Sequence, residues 1–287
     1  LANTLDLRRR IRSVKSTEQI TKAMKMVAAA RLRRAQARIV EARPYAIALD
    51  EVLRSVAARV PAHRHPLLDQ REERAVTLVT ITGDKGLCGA FNANVLREAM
   101  GILSSERWPQ VDVVIAGRKG IDFFRVRGIK PFATHPELMG NVTAERAFAL
   151  ARTLEERFTK EETDAVYLLS NRFRSIIRQE VSLYRLLPVP RAELEGEADA
   201  TSYLFEPNPA ALLDKLLPRH VEFQFLRALL SSQAAEQAAR MTAMDAASKN
   251  AREMIDDLTL QYNRVRQASI TKEIIEIVSG AQALGER

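Results

Sequence analysis

Residues 81–92, ITGDKGLCGAFN, carry the densest set of groups with chemical potential. Gly83, Gly86 and Gly89 stand three apart, Lys85 lies between two of them, and Cys88 falls inside the run. A glycine-rich turn ahead of a helix can offer backbone N–H groups to a phosphate, with a lysine to neutralise it. A Walker loop, however, needs GxxxxGK[ST], and here Gly86 is followed by Leu87 and Cys88. A dinucleotide loop needs GxGxxG with an acid about 20 residues on, whereas the spacing here is GxxGxxG. Neither template fits. The loop reads as turn chemistry between a strand and a helix, with at most a weak anion site at the helix start. Cys88 beside Lys85 invites the idea of a thiol with a lowered pKa. No His follows within forty residues and no second Cys exists to resolve it, so a buried, inert thiol is expected.

The other chemistry-bearing residues are sparse. The four His (63, 65, 135 and 220) include no HExxH pattern, and His63 and His65 lack an evident third metal ligand. One cysteine excludes an internal disulfide and suits a reducing compartment. No nucleophile–base order or paired-carboxylate site can be argued from spacing. No catalytic residue, cofactor, metal or direct small-molecule substrate is therefore expected.

The elements around the loop say more. The chain has 287 residues, and 46 % are apolar and 28 % charged, enough for a sizeable core. No run approaches 18 uninterrupted apolar residues. The net charge of +8 is uneven: residues 1–58 hold 13 Lys/Arg against 5 Asp/Glu, and the rest balances. The first segment should therefore face something acidic. It also carries a heptad seam, with Ala28, Leu32, Ala35, Ile39, Ala42, Ala46, Leu49, Leu53 and Val56 alternating steps of four and three. An earlier stripe, Leu7, Ile11 and Val14, is expected to join through a stutter near Ile20, Met24 and Val27. Pro44 should kink this helix unless neighbours absorb the lost hydrogen bond.

The last segment repeats the pattern through Leu230, Ala234, Gln237, Met241, Met244, Ser248, Ala251, Ile255, Leu258, Tyr262 and Val265, and again from Ile270. Pro207 and Pro209 suit its start, and Pro218 is expected to kink or divide it. Two seams at opposite ends of one chain pair most economically with each other, antiparallel; a helical bundle is the alternative. At ~1.5 Å per residue the helices would run roughly 80 Å and 100 Å or more, so the second overhangs. Between them, strand runs at 75–82, 111–117, 164–173 and 180–188 alternate with helical patterns at 91–104, 118–127 and 143–159. The expected fold class is α/β plus a long antiparallel two-helix coiled coil, the terminal helices forming a shaft around an inserted small, Rossmann-like α/β domain. The expected boundaries are 1–60, 61–208 and 209–287.

Three stretches then resemble one family. LRRRIRSVKSTEQITKAMKMVAAARLRRAQ is similar to the N-terminal helix, NRVRQASITKEIIEIVSGAQAL to the C-terminal helix, and GDKGLCGAFN to the central signature of the gamma subunit of rotary F-type ATP synthase. The resemblance covers nearly the whole chain, with 150–210 matching only in general character. It implies a central-stalk rotor subunit that transmits torque between a membrane c-ring and a catalytic alpha/beta hexamer, coupling ion flow to ATP synthesis or hydrolysis. The implied partners are the alpha and beta subunits, epsilon and the c-ring. The implied location is a peripheral membrane complex on the cytoplasmic face of a bacterial inner membrane, since no plastid-type cysteine insert or transit peptide is seen.

The same resemblance implies torque and interface roles for Met24, Lys25, Arg240, Arg266, Gln267, Thr271 and Glu273. It implies a basic face toward the beta subunits at Arg8, Arg9, Arg10, Arg12, Lys15 and Lys22. Ile274, Ile275, Ile277, Val278 and Leu284 would form a bearing tip. From the residues alone, Met24 could equally be seam packing and Arg240 an exposed helix face. A basic coiled-coil nucleic-acid-binding protein is the rival reading, weakened because Tyr45 is the only aromatic residue in 1–58 and offers no stacking platform. A nucleotide-dependent α/β enzyme using the Gly83 loop is the other.

Overall fold

The computed structural model describes residues 4–60, 65–190, 206 and 208–285, the last six as backbone only. Pro61, His63, Pro207 and the side chain of Leu284 lie outside this description. The chain divides into two compact units, one of Ala28–Arg240 and one of Leu1–Val27 with Met241–Arg287. Two helices run through both: α1, Thr4–Arg59, and the C-terminal helix, Pro209–Gly285.

The larger unit holds a five-stranded sheet. Its elements are β1 (Ala75–Ile81), α2 (Phe91–Ser104), β2 (Gln110–Ala116), α3 (Arg118–Val126), β3 (Ala133–His135), α4 (Ala144–Thr159), β4 (Ala165–Phe173) and β5 (Gln179–Leu187). The helix Pro209–Gly285 follows as α5. The strand order is β3-β2-β1-β4-β5, parallel except for β5, which pairs antiparallel with β4. The expected α/β domain is there, with one short edge strand, β3, that three residues could not announce in the sequence.

Why these runs are strands is legible in their burial. Six of the seven β1 residues are buried, because helices cover both faces and a parallel strand then needs no polar side. On one face Val76, Leu78, Val113 and Ile115 meet Val95, Leu96, Ala99 and Ile102 of α2 and Phe124 of α3. On the other, Val79, Ile81, Val114 and Leu168 meet Leu150, Leu154 and Phe158 of α4, with Leu53 and Val56 of α1 and Leu217, Val221 and Phe225 of α5. Burying each such side chain contributes about 1.5–3 kcal/mol. Thr143 caps α4 by accepting from the Arg146 N–H at 3.3 Å.

Neither internal proline ends its helix. Pro44 and Pro218 lie inside α1 and α5, and neither helix stops there, so the division expected at Pro218 does not occur. An interior proline costs about 3 kcal/mol. Beside Pro218 the buried Leu217 and Val221 offset that cost, and beside Pro44 the Tyr45 ring stacks on Phe223 at 4.4 Å.

In the smaller unit the two helices are tied antiparallel. Lys25 Nζ meets Asp245 Oδ1 at 2.6 Å, Arg252 Nε meets Glu18 Oε1 at 3.6 Å, and Arg8 Nη2 donates to the Tyr262 hydroxyl at 2.9 Å. As the first number falls the second rises, which is the signature of opposed directions. The stutter expected near Ile20 and Val27 is absent: those residues are 57 % and 51 % exposed. The seam instead continues without a break as Leu7, Ile11, Val14, Glu18, Thr21 and Lys25, all at least partly buried. Three of its positions are polar, so tracking apolar residues alone moved the stripe onto the wrong face. Beyond Val265 every described side chain of α5 is exposed, which is the expected overhang.

Candidate functional site

The glycine loop sits at a place where open α/β sheets often bind ligands. Strand order reverses between β1 and β4, and the loop after β1 leaves from the carboxyl end of that crevice. Here the crevice is filled by the chain itself. A Cβ on Gly83 would stand 3.1 Å from Cδ of Glu236 on α5, and Cys88 and Phe91 pack on Ala235 of α5. Ser231 Oγ accepts the Phe173 N–H at 3.0 Å, closing the β4 side.

The anion-binding groups that face this crevice are also engaged. Asn92 Oδ1 accepts the Gly83 N–H at 2.8 Å. Asp84 presents its carboxylate to three backbone N–H groups, those of Arg118 (3.0 Å), Glu137 (3.0 Å) and Gly140 (2.7 Å). Thr82 Oγ1 accepts the Gly120 N–H at 2.9 Å, and the Lys119 N–H goes to the Gly83 carbonyl. The first turn of α3 thus takes an internal carboxylate and a hydroxyl where a phosphate would otherwise dock. Gly117 makes this close approach feasible: its φ is +104°, and a Cβ there would lie 2.0 Å from the Thr82 carbonyl oxygen. The structural reading of the glycines holds, and no nucleotide can enter this crevice without moving α5.

Cys88 is buried, with the Asn92 Nδ2–H donating to its sulfur at 3.2 Å. Burial pushes its thiol pKa up, against the lowering effect of Arg240. It is a packing residue and lacks the thiolate character that reactivity requires.

Arg240 is the residue whose setting differs most from an exposed helix face. It is 7 % exposed. Its Nη2 donates to Glu236 Oε1 at 2.7 Å, one turn earlier on α5, and reaches the carbonyls of Gly86 at 3.3 Å and Lys85 at 3.5 Å. Burial raises the Glu236 carboxyl pKa above its ordinary range and Arg240 opposes that rise. The pair therefore latches the glycine loop to α5. Glu236 was not singled out in the sequence, though its i,i+4 spacing to Arg240 could have marked it.

The remaining sequence-derived positions lie in the smaller unit. Met24 is half-buried in the seam region, and Lys25 is engaged with Asp245. The Lys25 hydrogen bond, aided by Lys249, holds the Asp245 carboxyl below its usual range. Arg9, Arg10, Arg12, Lys15 and Lys22 are exposed, while Arg8 also lies over the Tyr262 ring. Arg266, Gln267, Thr271 and Glu273 are all exposed on the overhang, and Thr271 Oγ1 donates back to the Gln267 carbonyl. Ile274, Ile275, Ile277 and Val278 are likewise exposed, so α5 ends in apolar side chains on several sides. Asp245 and Arg252 escaped sequence reasoning, and Tyr262 was read as a seam residue without its Arg8 tie, because their partners are more than 200 residues away.

No helix of the described residues is long and apolar enough to cross a membrane, and no group of three or more potential metal ligands occurs among them. A family model described as ATP synthase matches residues 3–284. The chain is 53 % identical to the ATP synthase gamma chain of Solibacter usitatus, across 99 % of each chain. It is 49 % identical to that of Anaeromyxobacter sp. strain Fw109-5, over 97 % of this chain and 98 % of the relative. Among solved structures, a chain from the central stalk and c-ring of Tetrahymena thermophila mitochondrial ATP synthase superposes with a TM-score of 0.62 at 28 % identity, covering 80 % of this chain and 99 % of that one. A chain from Euglena gracilis mitochondrial ATP synthase, at 19 % identity and a TM-score of 0.68, covers 98 % of this chain and 94 % of its own and shares the fold. None of these similarities favours nucleic-acid binding.

Proposed function

Because the chain belongs to the ATP synthase gamma-chain family, we propose that it is the central-stalk rotor subunit of a rotary F-type ATP synthase, carrying torque between a catalytic alpha/beta hexamer and a membrane c-ring. As a gamma chain it is part of a membrane-associated complex that catalyses ATP synthesis. Within that complex it leaves bond-making to the hexamer and works as a mechanical element, with segments 1–60 and 209–287 as shaft and 61–208 as foot. The foot would bind epsilon and the c-ring. The bacterial relatives support a place on the cytoplasmic face of an inner membrane.

One observation carries the reading: in the smaller unit two antiparallel helices are cross-tied at three heights, and α5 then continues alone with exposed side chains. Cross-ties let twist in one helix drag the other. Exposed Ile274, Ile275, Ile277 and Val278 suit a sliding collar, because dispersion contacts are weak and non-directional. Arg266 and Gln267, with Thr271 and Glu273 about a turn on, suit intermittent grip on acidic loops, since an arginine fork can take a carboxylate bidentately. Met24, Lys25 and Arg240 would set how firmly that grip is passed on. The exposed cations Arg9, Arg10, Arg12, Lys15 and Lys22 would hold the shaft near acidic beta loops by screened, long-range attraction.

The test is a probe fixed to this chain in the assembled, surface-held complex. ATP should drive its one-way rotation, and Arg266→Ala should lower the torque while ATP hydrolysis continues. Steady hydrolysis with the chain stationary would overturn the proposal.

A further inference from the structure

A basic cleft lies beside the glycine loop, wholly within the larger unit. Arg31, Arg34 and Arg38 stand at i, i+3 and i+7 on α1, so their side chains share one face. Lys85 of the loop and Gln233 and Gln237 of α5 also line the cleft, which encloses about 410 Å³. That leaves room for a hydrated oxyanion.

The charges in the cleft are not balanced internally. Arg38 is committed to the Val142 carbonyl. Glu236 is paired with Arg240, and the Asp84 carboxylate is occupied by three backbone N–H groups. The side chains of Arg31, Arg34 and Lys85 remain, with no hydrogen bond or ion pair to any described residue, although Arg31 is close enough to help stabilise the Glu236 charge. A second, independent feature lies in the same wall. Gln237 is only 7 % exposed, and its buried Oε1 has no hydrogen-bond partner. A buried unpaired acceptor is costly, so this one calls for a donor from whatever enters.

We propose that this cleft binds inorganic phosphate. Three cations supply charge-assisted hydrogen bonds to its oxygens. Gln237 Oε1 is shut off from solvent in the empty cleft, and a turn of the carboxamide on entry of the ligand lets it accept the O–H that inorganic phosphate keeps at neutral pH. Sulfate has the same shape and no proton at that pH, and a carboxylate side chain has none either, so the site selects phosphate over both. The site is separate from the crevice behind Gly83 and does not depend on the rotor reading.

Equilibrium dialysis of the full chain against radiolabelled inorganic phosphate at low salt tests this. One saturable site with a Kd of about 1 mM or tighter is expected. Sulfate should compete at least about tenfold more weakly, as befits a site whose buried acceptor it leaves unpaired. The doubly substituted Arg31→Gln/Arg34→Gln chain should bind at least about tenfold more weakly, since both positions are exposed and the fold does not need them. Gln237→Leu, shown folded by its fluorescence, should retain binding and lose the preference over sulfate. Absence of saturation up to about 10 mM phosphate, undiminished binding in the double variant, or equal competition by sulfate in the unsubstituted chain would each refute the site. The sulfate comparison needs no substitution, so it decides the matter even if Gln237→Leu fails to fold.

Discussion

Replacing Arg240 by Ala should strip the partner from a carboxylate that is itself 5 % exposed. Removing one member of a buried ion pair costs about 3–5 kcal/mol when the other must stay charged. The two contacts to the Gly86 and Lys85 carbonyls, at 3.3 and 3.5 Å, are long and add little. Glu236 can relieve part of the cost by taking up a proton. Its folded pKa is already raised by burial, and loss of the Arg240 charge raises it further. A carboxyl whose folded pKa exceeds its unfolded one favours the fold below the unfolded value and loses that favour as pH rises through the folded value. The deficit should thus be largest at alkaline pH, about 2–4 kcal/mol at pH 8, and clearly smaller at pH 5. Trp108 is the only tryptophan and is buried in the same unit, so its fluorescence during urea unfolding reports the relevant transition. Adding Glu236→Met to Arg240→Met should recover most of the loss, because an apolar pair replaces a buried ionic one at little cost. A deficit under about 0.5 kcal/mol, one that grows toward acid, or strict additivity in the double-mutant cycle would refute the latch.

Three further outcomes follow from the same structure. Gly117→Ala should destabilise the larger unit by at least about 3 kcal/mol or prevent its folding, because it combines a φ of +104° with a Cβ 2.0 Å from a backbone oxygen; a fluorescence melt like that of the parent would contradict it. Burial, with Glu222 adding to it, pushes the Glu155 carboxyl up to about 8 from an ordinary 4.5, so this group costs stability increasingly as pH rises across that window. Glu155→Gln should therefore gain stability relative to the parent at pH 9, on the order of 1 kcal/mol after allowance for solvent screening, and little at pH 4; a gain confined to acid would be the wrong sign. Amide hydrogen exchange should slow from Met241 to Val265 and quicken beyond Arg266, where no helix among the described residues pairs with it; uniform protection along α5 would show that the overhang is covered.

What the residues declared in advance and what they hid have physical reasons. Buried parallel strands announce themselves as runs such as AVTLVTI, because covered faces leave no room for polar alternation. The lower seams from Ala28 to Val56 and from Leu230 onward were legible because apolar residues kept the heptad step. Between Val14 and Ala28 the step was kept by Glu18, Thr21 and Lys25, and a search for apolar residues followed Ile20 and Val27 to the solvent side. Pro218 looked like a kink or a division because proline's local cost is visible and the tertiary contacts of Leu217 and Val221, beside which the helix runs on, are not. The glycine spacing ruled out the known phosphate loops, yet nothing local said that Glu236 and Ala235, some 150 residues away, would fill the space. Arg240 was named for its motif, but its burial could be known only once α5 lay against the loop.

The polar interruptions of the upper seam carry a mechanical consequence. An all-apolar interface between two helices tolerates sliding by a heptad, since one layer of methyls resembles the next. Glu18 and Lys25, facing Arg252 and Asp245, have no equivalent partners seven residues away in either direction. They act as a key in a keyway: the two strands cannot creep past one another under load, so angular phase at one end is reproduced at the other on every turn.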